Sequence, residues 1–162
     1  MSVHLLRELG KGTYTLIISL KREVYLHVGS LGRLHLIHGI YSYTGSALGP
    51  SRHAIYYRVK RHLSFEKRVK WHIDYLTSIK DSHVFGIVAA RTDLKYECRI
   101  AELLTRSPFA VPIRGFGCTD CRCVSHLHYY PKLTAYQVMG IVRDSYEMLG
   151  LNPVVMVFGN SR

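Results

Sequence analysis

The first third of the chain has the patterns of β-strands: a β-branched run at 13–20 comes first, and apolar and polar positions alternate in the segments that follow it. Glycines and paired basic residues interrupt the alternation where turns are expected. Residues 13–45 are therefore predicted to form an antiparallel meander of three or four strands. In order, the predicted strands are 13–20, 23–28, 33–37 and one that ends in a tight turn after Tyr43.

Further along, apolar residues recur at spacings of three and four, which predicts helices packed on the sheet. Ile55, Val59 and Leu63 form one such stripe. Thr134 and Gln137 have the spacing of a capping box, so the helix that they open is the clearest. The predicted helices are the one carrying the stripe, 71–79, 93–106 and 134–149. Strands are predicted at 83–90 and 125–130, and the apolar tail at 153–158 is predicted to be a strand or a partner-binding arm.

This order of elements predicts an α/β (α+β) fold with a small, mainly antiparallel sheet flanked by helices and a C-terminal helix. A chain of 162 residues is expected to form a single domain over 1–162. We assign its core to about residues 10–130 and the C-terminal helix and tail to 131–162.

The charge balance of the chain points to a polyanionic partner. Lysine and arginine number 22 against 11 acidic residues, a net charge of +11. DNA is the expected partner, with RNA also open. No basic amphipathic helix, signal peptide or long apolar run is visible, so we expect no membrane contact and a cytoplasmic location. Six basic residues crowd one short stretch: Arg52, Arg58, Lys60, Arg61, Arg68 and Lys70.

Glu97 is the most informative carboxylate of the predicted third helix. Leu94, Cys98, Ala101 and Leu104 are predicted to form its apolar face, and a step of 100° per residue places Glu97 on that face. A carboxylate there is costly unless it is paired or binds a metal. A buried pair with an arginine is the alternative to a metal ligand. Glu102, at the edge of the stripe, is the second candidate.

Five short strings carry a resemblance to a known nuclease superfamily. They are 12–14 (GTY), 39–47 (GIYSYTGSA), 58–62 (RVKRH), 70–76 (KWHIDYL) and 116–127 (FGCTDCRCVSHL). Together they resemble the GIY-YIG nuclease superfamily, and within it a divergent, largely archaeal branch of poorly defined function. Members of that branch stand alone or are fused to endonuclease III-type DNA glycosylases. The first two motif tyrosines, Tyr14 and Tyr43, are farther apart than is usual in the superfamily.

The resemblance implies a metal-dependent endonuclease that acts on DNA in repair or processing, with a repair glycosylase as a partner. Mg²⁺ or Mn²⁺ would be held by Glu97. Tyr14 and Tyr43 would align water, with Tyr41 as the substitute for Tyr43, and Arg58 would neutralise phosphate charge. The remaining expected catalytic residues are His62 and His72. The expected nucleic-acid contacts are Gly45, Ser46, Arg52, Lys60, Arg61, Arg68 and Lys70.

Two other functions stay open at this point. One is a nucleic-acid-binding module that has lost catalysis, which the unusual motif spacing allows. The other is an abasic-site lyase in which Lys60 or Lys70 supplies the amine. Asp74 is expected to orient His72 or Arg58, and Trp71 is interpreted as a core anchor. The oligomeric state is open.

The cysteine-rich string has the spacing Cys118-x2-Cys121-x-Cys123-x2-His126, which resembles that of a compact zinc site. The Cys-x-Cys spacing is not that of a standard knuckle, and a second cysteine pair is missing unless Cys98 joins. Zinc at Cys118, Cys121 and Cys123 is therefore not expected. Reduced thiols or a disulfide are the alternatives.

Overall fold

The four strands predicted for the first third of the chain are present, but they belong to two different sheets. In the computed structural model, which describes residues 3–158, they are β1 (Gly12–Leu20), β2 (Val24–His27), β3 (Arg33–Leu36) and β4 (Gly39–Ala47). β1 pairs directly with β4, and β2 and β3 form a separate two-stranded sheet. The single meander was a wrong prediction. The long strands β1 and β4 bury nearly every residue, whereas β2 and β3 are short and half-exposed, so the hairpin leaves the main sheet.

Among the described residues, the main sheet has six strands in the order β6-β7-β4-β1-β5-β8, all antiparallel. The strands not yet given are β5 (Ser82–Arg91), β6 (Val111–Pro112), β7 (Leu127–Tyr130) and β8 (Val154–Val157). β8 pairs with β5, so the apolar tail is an edge strand. β1 lies between β4 and β5. Because β1 and β4 are antiparallel, the first residues of β1 lie beside the last residues of β4.

Within residues 3–158, the fold also has four α-helices and two 3-10 helices. The α-helices are α1 (Ala54–Leu63), α2 (His72–Thr77), α3 (Glu97–Arg106) and α4 (Ala135–Met148); the 3-10 helices are Val3–Leu9 and Gly29–Leu31. The capping box of α4 is present as predicted, with Thr134 and Gln137 bonded reciprocally. α3 starts later than predicted because the Thr92 hydroxyl accepts a hydrogen bond from the Leu94 N–H and closes a turn instead. Leu94 is therefore 65% exposed, not part of an apolar face.

Helices cover both faces of the sheet. Along β1, Leu16 and Ile18 pack in the cluster that contains α1 and α2, whereas Ile17 packs with α3 and α4. The alternation follows from the period of two in a strand. The predicted α/β (α+β) class, with an antiparallel sheet between helices and a C-terminal helix, is confirmed. Within residues 3–158, no helix has both the length and the apolar character required to span a bilayer.

Candidate functional site

One cleft of about 470 Å³ gathers most of the residues that the sequence singled out. Its walls come from the start of β1, the end of β4, α1, α2, the start of α3 and the loop before β7. The predicted site residues on its walls are Tyr14, Tyr43, Gly45, Ser46, Arg58, Lys70, His72 and Glu97. His62 lies behind this wall, against Tyr14.

Gly45 is the strand neighbour that makes room for Tyr14. The two residues are paired across β1 and β4. A Cβ atom on Gly45 would lie 2.6 Å from the Tyr14 hydroxyl oxygen, far inside contact distance. The sequence predicted that this strand ends in a tight turn after Tyr43, but β4 continues through Gly45 to Ala47. The glycine is therefore required by the ring packed over it, not by a turn.

Gly45→Ala should push the Tyr14 ring out of place. We expect a loss of about 1–3 kcal/mol in the free energy of unfolding, the usual effect of an added methyl in a filled site. Urea denaturation measures it. Gly49→Ala is the matched control, since a Cβ there would meet nothing within 4 Å. Equal stability of the two variants would contradict this account of Gly45.

Of the two tyrosines considered on β4, Tyr43 is the one in the cleft. Tyr41 instead donates its hydroxyl to the Ile37 carbonyl at 2.7 Å. Burial raises the pKa of Tyr43, and the nearby Arg58 guanidinium lowers it by less. Burial likewise raises the pKa of Tyr14 well above its usual value. Both phenols are therefore neutral at pH 7 and can donate and accept hydrogen bonds.

Tyr14 is held by His62, whose Nε2 lies 2.8 Å from the phenol oxygen. His62 is fully buried. Burial lowers its pKa to about 3, with a further lowering by Lys67, Arg58 and Arg61 that outweighs the opposing effect of Asp74. The imidazole is thus neutral at pH 7, and its task is to fix the position of the Tyr14 hydroxyl.

The same histidine makes the fold sensitive to acid. An unfolded histidine titrates near pH 6.5, whereas His62 in the fold titrates near 3, so the unfolded chain binds more protons between these values. The free energy of unfolding should fall as pH falls below about 6.5. Urea denaturation at pH 7 and pH 5 measures the drop. It should be smaller in His62→Gln and unchanged in His38→Gln, an exposed position; equal drops in both variants would exclude the assignment.

Arg58 is supported by an aromatic platform. Its Cζ lies 4.2 Å from the centre of the Trp71 ring, and the cations of Lys70 and Arg61 lie 4.8 and 4.9 Å from that ring. Cation–π contact of this kind holds a guanidinium in one orientation. Trp71, interpreted from the sequence as a core anchor, is therefore also part of the cleft wall.

Asp74 organises the basic segment before α2. Its Oδ2 accepts hydrogen bonds from Arg61 Nη2 at 2.6 Å and from the N–H groups of Lys70 and Trp71 at 2.8 and 2.9 Å. Burial raises the pKa of this carboxyl, but the three donors together lower it further, so its net pKa is below the usual value. Arg61 also donates to the Arg68 carbonyl at 2.7 Å. Arg61 thus ties this segment to α1.

The expectation that Asp74 orients His72 or Arg58 was wrong, since its partners are Arg61 and backbone. His72 is positioned by the N–H of Gly117, which donates to Nδ1 at 3.0 Å. Burial lowers the pKa of His72, so the ring is neutral at pH 7. Because Nδ1 accepts, the proton of the neutral ring is on Nε2, and His72 brings a neutral N–H donor to the cleft.

Glu97 is the first residue of α3 and lines the cleft. Glu97 lies on the same face of α3 as the buried residues Ala101 and Leu104, at the N-terminal end of the helix, where that face is no longer covered by the core. Its Oε2 is buried and has no hydrogen-bond partner among residues 3–158. The predicted alternative, an ion pair with an arginine, is not formed there. Glu102 instead pairs with Arg106 at 2.6 Å and is 59% exposed.

The cysteine string closes one side of the cleft. Cys98, Cys121, Cys123 and His126 place their ligand atoms within 4.8 Å of one another, a group that can hold a metal ion. Cys98 joins from α3 and takes the place that the string had suggested for Cys118, which lies outside the group. The structure therefore gives no support to the expectation against a metal at these cysteines. All four cysteines are free thiols, so the alternative of a disulfide is not formed.

Several residues of the cleft wall were missed from the sequence, among them Lys95, Tyr75 and Asp120. Lys95 is a charged residue two positions before Glu97, and Asp120 is a charged residue within the cysteine string. Their nearness to motif residues is the signal by which the sequence could have identified them. Tyr75 lies within the motif string of α2. The predicted contacts Arg52, Lys60 and Arg68 are exposed and lie outside the cleft wall, so the continuous basic surface stays a prediction.

A family described as a domain of unknown function, DUF123, matches residues 13–147 of the chain. This span contains every residue that lines the cleft. Comparison with curated proteins and with solved structures gave no match.

Proposed function

The chain belongs to the DUF123 family, a domain of unknown function, and we propose that it is an endonuclease that hydrolyses DNA phosphodiester bonds with one divalent metal ion. The proposal follows the resemblance to GIY-YIG nucleases. The observation that carries it is the convergence of Tyr14, Tyr43, Arg58 and Glu97, which are far apart in sequence, on one cleft.

The metal expected for this chemistry is Mg²⁺ or Mn²⁺, and Glu97 fits it. A buried carboxylate oxygen without a hydrogen-bond partner is unfavourable unless a cation is bound there. Carboxylate oxygen is the ligand that these hard ions prefer, with water and substrate phosphate completing the shell. Once bound, the ion would offset negative charge on the phosphate.

The chain's own groups have separate tasks. Arg58, held on Trp71, donates to non-bridging phosphate oxygens and stabilises the charge that grows on them. The neutral phenols of Tyr14 and Tyr43 hydrogen-bond the attacking water and set its direction. The neutral Nε2–H of His72 donates to a phosphate or leaving oxygen. Water then forms the new P–O bond and releases a proton to solvent, while the bond to the leaving oxygen breaks and that oxygen takes up a proton from solvent.

A panel of substrates tests the proposal: single-stranded, duplex, abasic and branched DNA, each with Mg²⁺, Mn²⁺ and chelator. We expect metal-dependent cleavage of at least one substrate. DNA binding without cleavage under every condition would favour the inactive binding module instead.

One observation supports the lyase alternative: Lys70, one of its two candidate amines, lines the cleft. The other candidate, Lys60, is exposed and lies outside the cleft. The Lys70 ammonium lies 4.8 Å from the centre of the Trp71 ring, where it makes a cation–π contact. Borohydride trapping on abasic DNA separates the two activities. A covalent adduct formed in the presence of chelator would favour the lyase.

DNA binding should weaken with salt, since phosphate contacts release counterions. For Lys70→Ala we expect the slope of log affinity against log salt concentration to become shallower by about 0.9, which is the change expected for the loss of one phosphate contact. Fluorescence anisotropy with a duplex measures it. Arg143→Ala, an exposed change on α4, should keep the wild-type slope. A slope near zero for the unaltered protein would contradict electrostatic binding.

A further inference from the structure

The four-residue group on the side of the cleft has the dimensions of a metal site. Nε2 of His126 lies 3.5 Å from the Cys121 sulfur and 3.7 Å from the Cys98 sulfur. With Zn–S bonds of about 2.3 Å and Zn–N bonds of about 2.05 Å, a tetrahedron has S···N edges of about 3.6 Å. Both measured distances match that edge, and all four ligand atoms lie within 4.8 Å of one another.

A second, independent feature prepares His126 as a ligand. Its Nδ1 lies 3.1 Å from the Thr44 carbonyl oxygen, which can only accept, so the ring proton is on Nδ1. Nε2 therefore presents its lone pair to the thiols. A ligand histidine that donates its other N–H to a carbonyl is the usual outer-shell arrangement of zinc sites, since it fixes both tautomer and ring orientation.

We propose that Cys98, Cys121, Cys123 and His126 bind one Zn²⁺ in a closed tetrahedral site. Three thiols and one imidazole are the soft and borderline ligands that zinc takes in structural sites. The three thiols each release a proton to solvent as their sulfurs bind, and the metal keeps its oxidation state. Four protein ligands leave no open position, so the ion is structural and distinct from a catalytic ion at Glu97.

The ligands come from separate parts of the fold. Cys98 is the second residue of α3, the loop before β7 supplies the other three ligands, and His126 is anchored to β4 through Thr44. Zinc at this place would join that loop to the start of α3 and to the strand that carries Tyr43. It would thus fix one side of the cleft. The zinc site does not depend on nuclease activity.

Metal content of the full-length protein tests the proposal. After purification with Zn²⁺ and removal of loosely bound ions, elemental analysis should give one zinc per chain. Cys98→Ser should lose at least about tenfold in bound zinc. Cys118→Ser is the matched control and should keep it, because Cys118 donates to the Phe116 carbonyl and is outside the group.

Two measurements on the unaltered protein stand even if Cys98→Ser fails to fold. Titration with Co²⁺ should give the intense visible bands of a tetrahedral thiolate site, and Zn²⁺ should abolish them. A thiol reagent should modify one cysteine of the zinc-loaded protein and four after chelation. Substoichiometric zinc, iron in its place, octahedral cobalt spectra, or zinc retained by Cys98→Ser and lost by Cys118→Ser would each overturn the assignment.

Discussion

Glu97→Gln should abolish metal-dependent cleavage, lowering the rate of the chemical step by about 10²–10³-fold, or about 3–4 kcal/mol. Glutamine has nearly the same shape but lacks the charge that holds a divalent ion. The Glu97 Oε2 has no hydrogen-bond partner among the described residues, so its replacement breaks no ion pair within residues 3–158. Single-turnover cleavage at saturating Mg²⁺ or Mn²⁺ is the measurement.

Glu102→Gln is the matched control on the same helix. Its carboxylate is exposed and pairs with Arg106 outside the cleft, so the rate should stay within about twofold of wild type. Circular dichroism and urea denaturation should show that both variants are folded. Full activity in Glu97→Gln, or an equal loss in Glu102→Gln, would remove Glu97 from the site.

Arg58→Ala should cost a similar factor, about 10²–10³-fold in the chemical step, because it removes the guanidinium that offsets charge on the phosphate. Most DNA binding should survive, since the other basic residues remain. Arg58→Lys should recover only part of the rate: lysine keeps the charge but loses the planar fork that stacks on Trp71 at 4.2 Å.

The readout that separates catalysis from binding is the ratio of the two losses. Cleavage of prebound DNA should fall by at least tenfold more than affinity does. Arg143→Ala, on the exposed side of α4, should leave both unchanged. Parallel losses of affinity and rate in Arg58→Ala would reduce Arg58 to a simple DNA contact.

Much of the local structure could be predicted from the sequence. The β-branched run of β1, the alternation of β4, the stripe of α1 and the capping box of α4 all depend on residues within a few positions of one another. The start of α3 could not be predicted as well, because the Thr92 hydroxyl competes for a backbone N–H and shortens the helix.

The sequence predicted the residues of the candidate site mainly where they belong to one of the motif strings. Tyr14, Tyr43, Arg58 and Glu97 were all named from the sequence and all lie on the cleft. The partners of the named residues were not predictable. That His62 holds Tyr14 and that Asp74 holds Arg61 depends on which helix packs on which strand.

By itself, the sequence determined the class of the fold, the basic character of the chain and the identity of most cleft residues. These follow from periodicity, composition and short strings, each of which is local. Only the tertiary structure decided that β1 pairs with β4 and that Cys98 meets His126. The physical reason is that contacts between distant segments depend on how the whole core packs, and no local pattern encodes which surfaces meet.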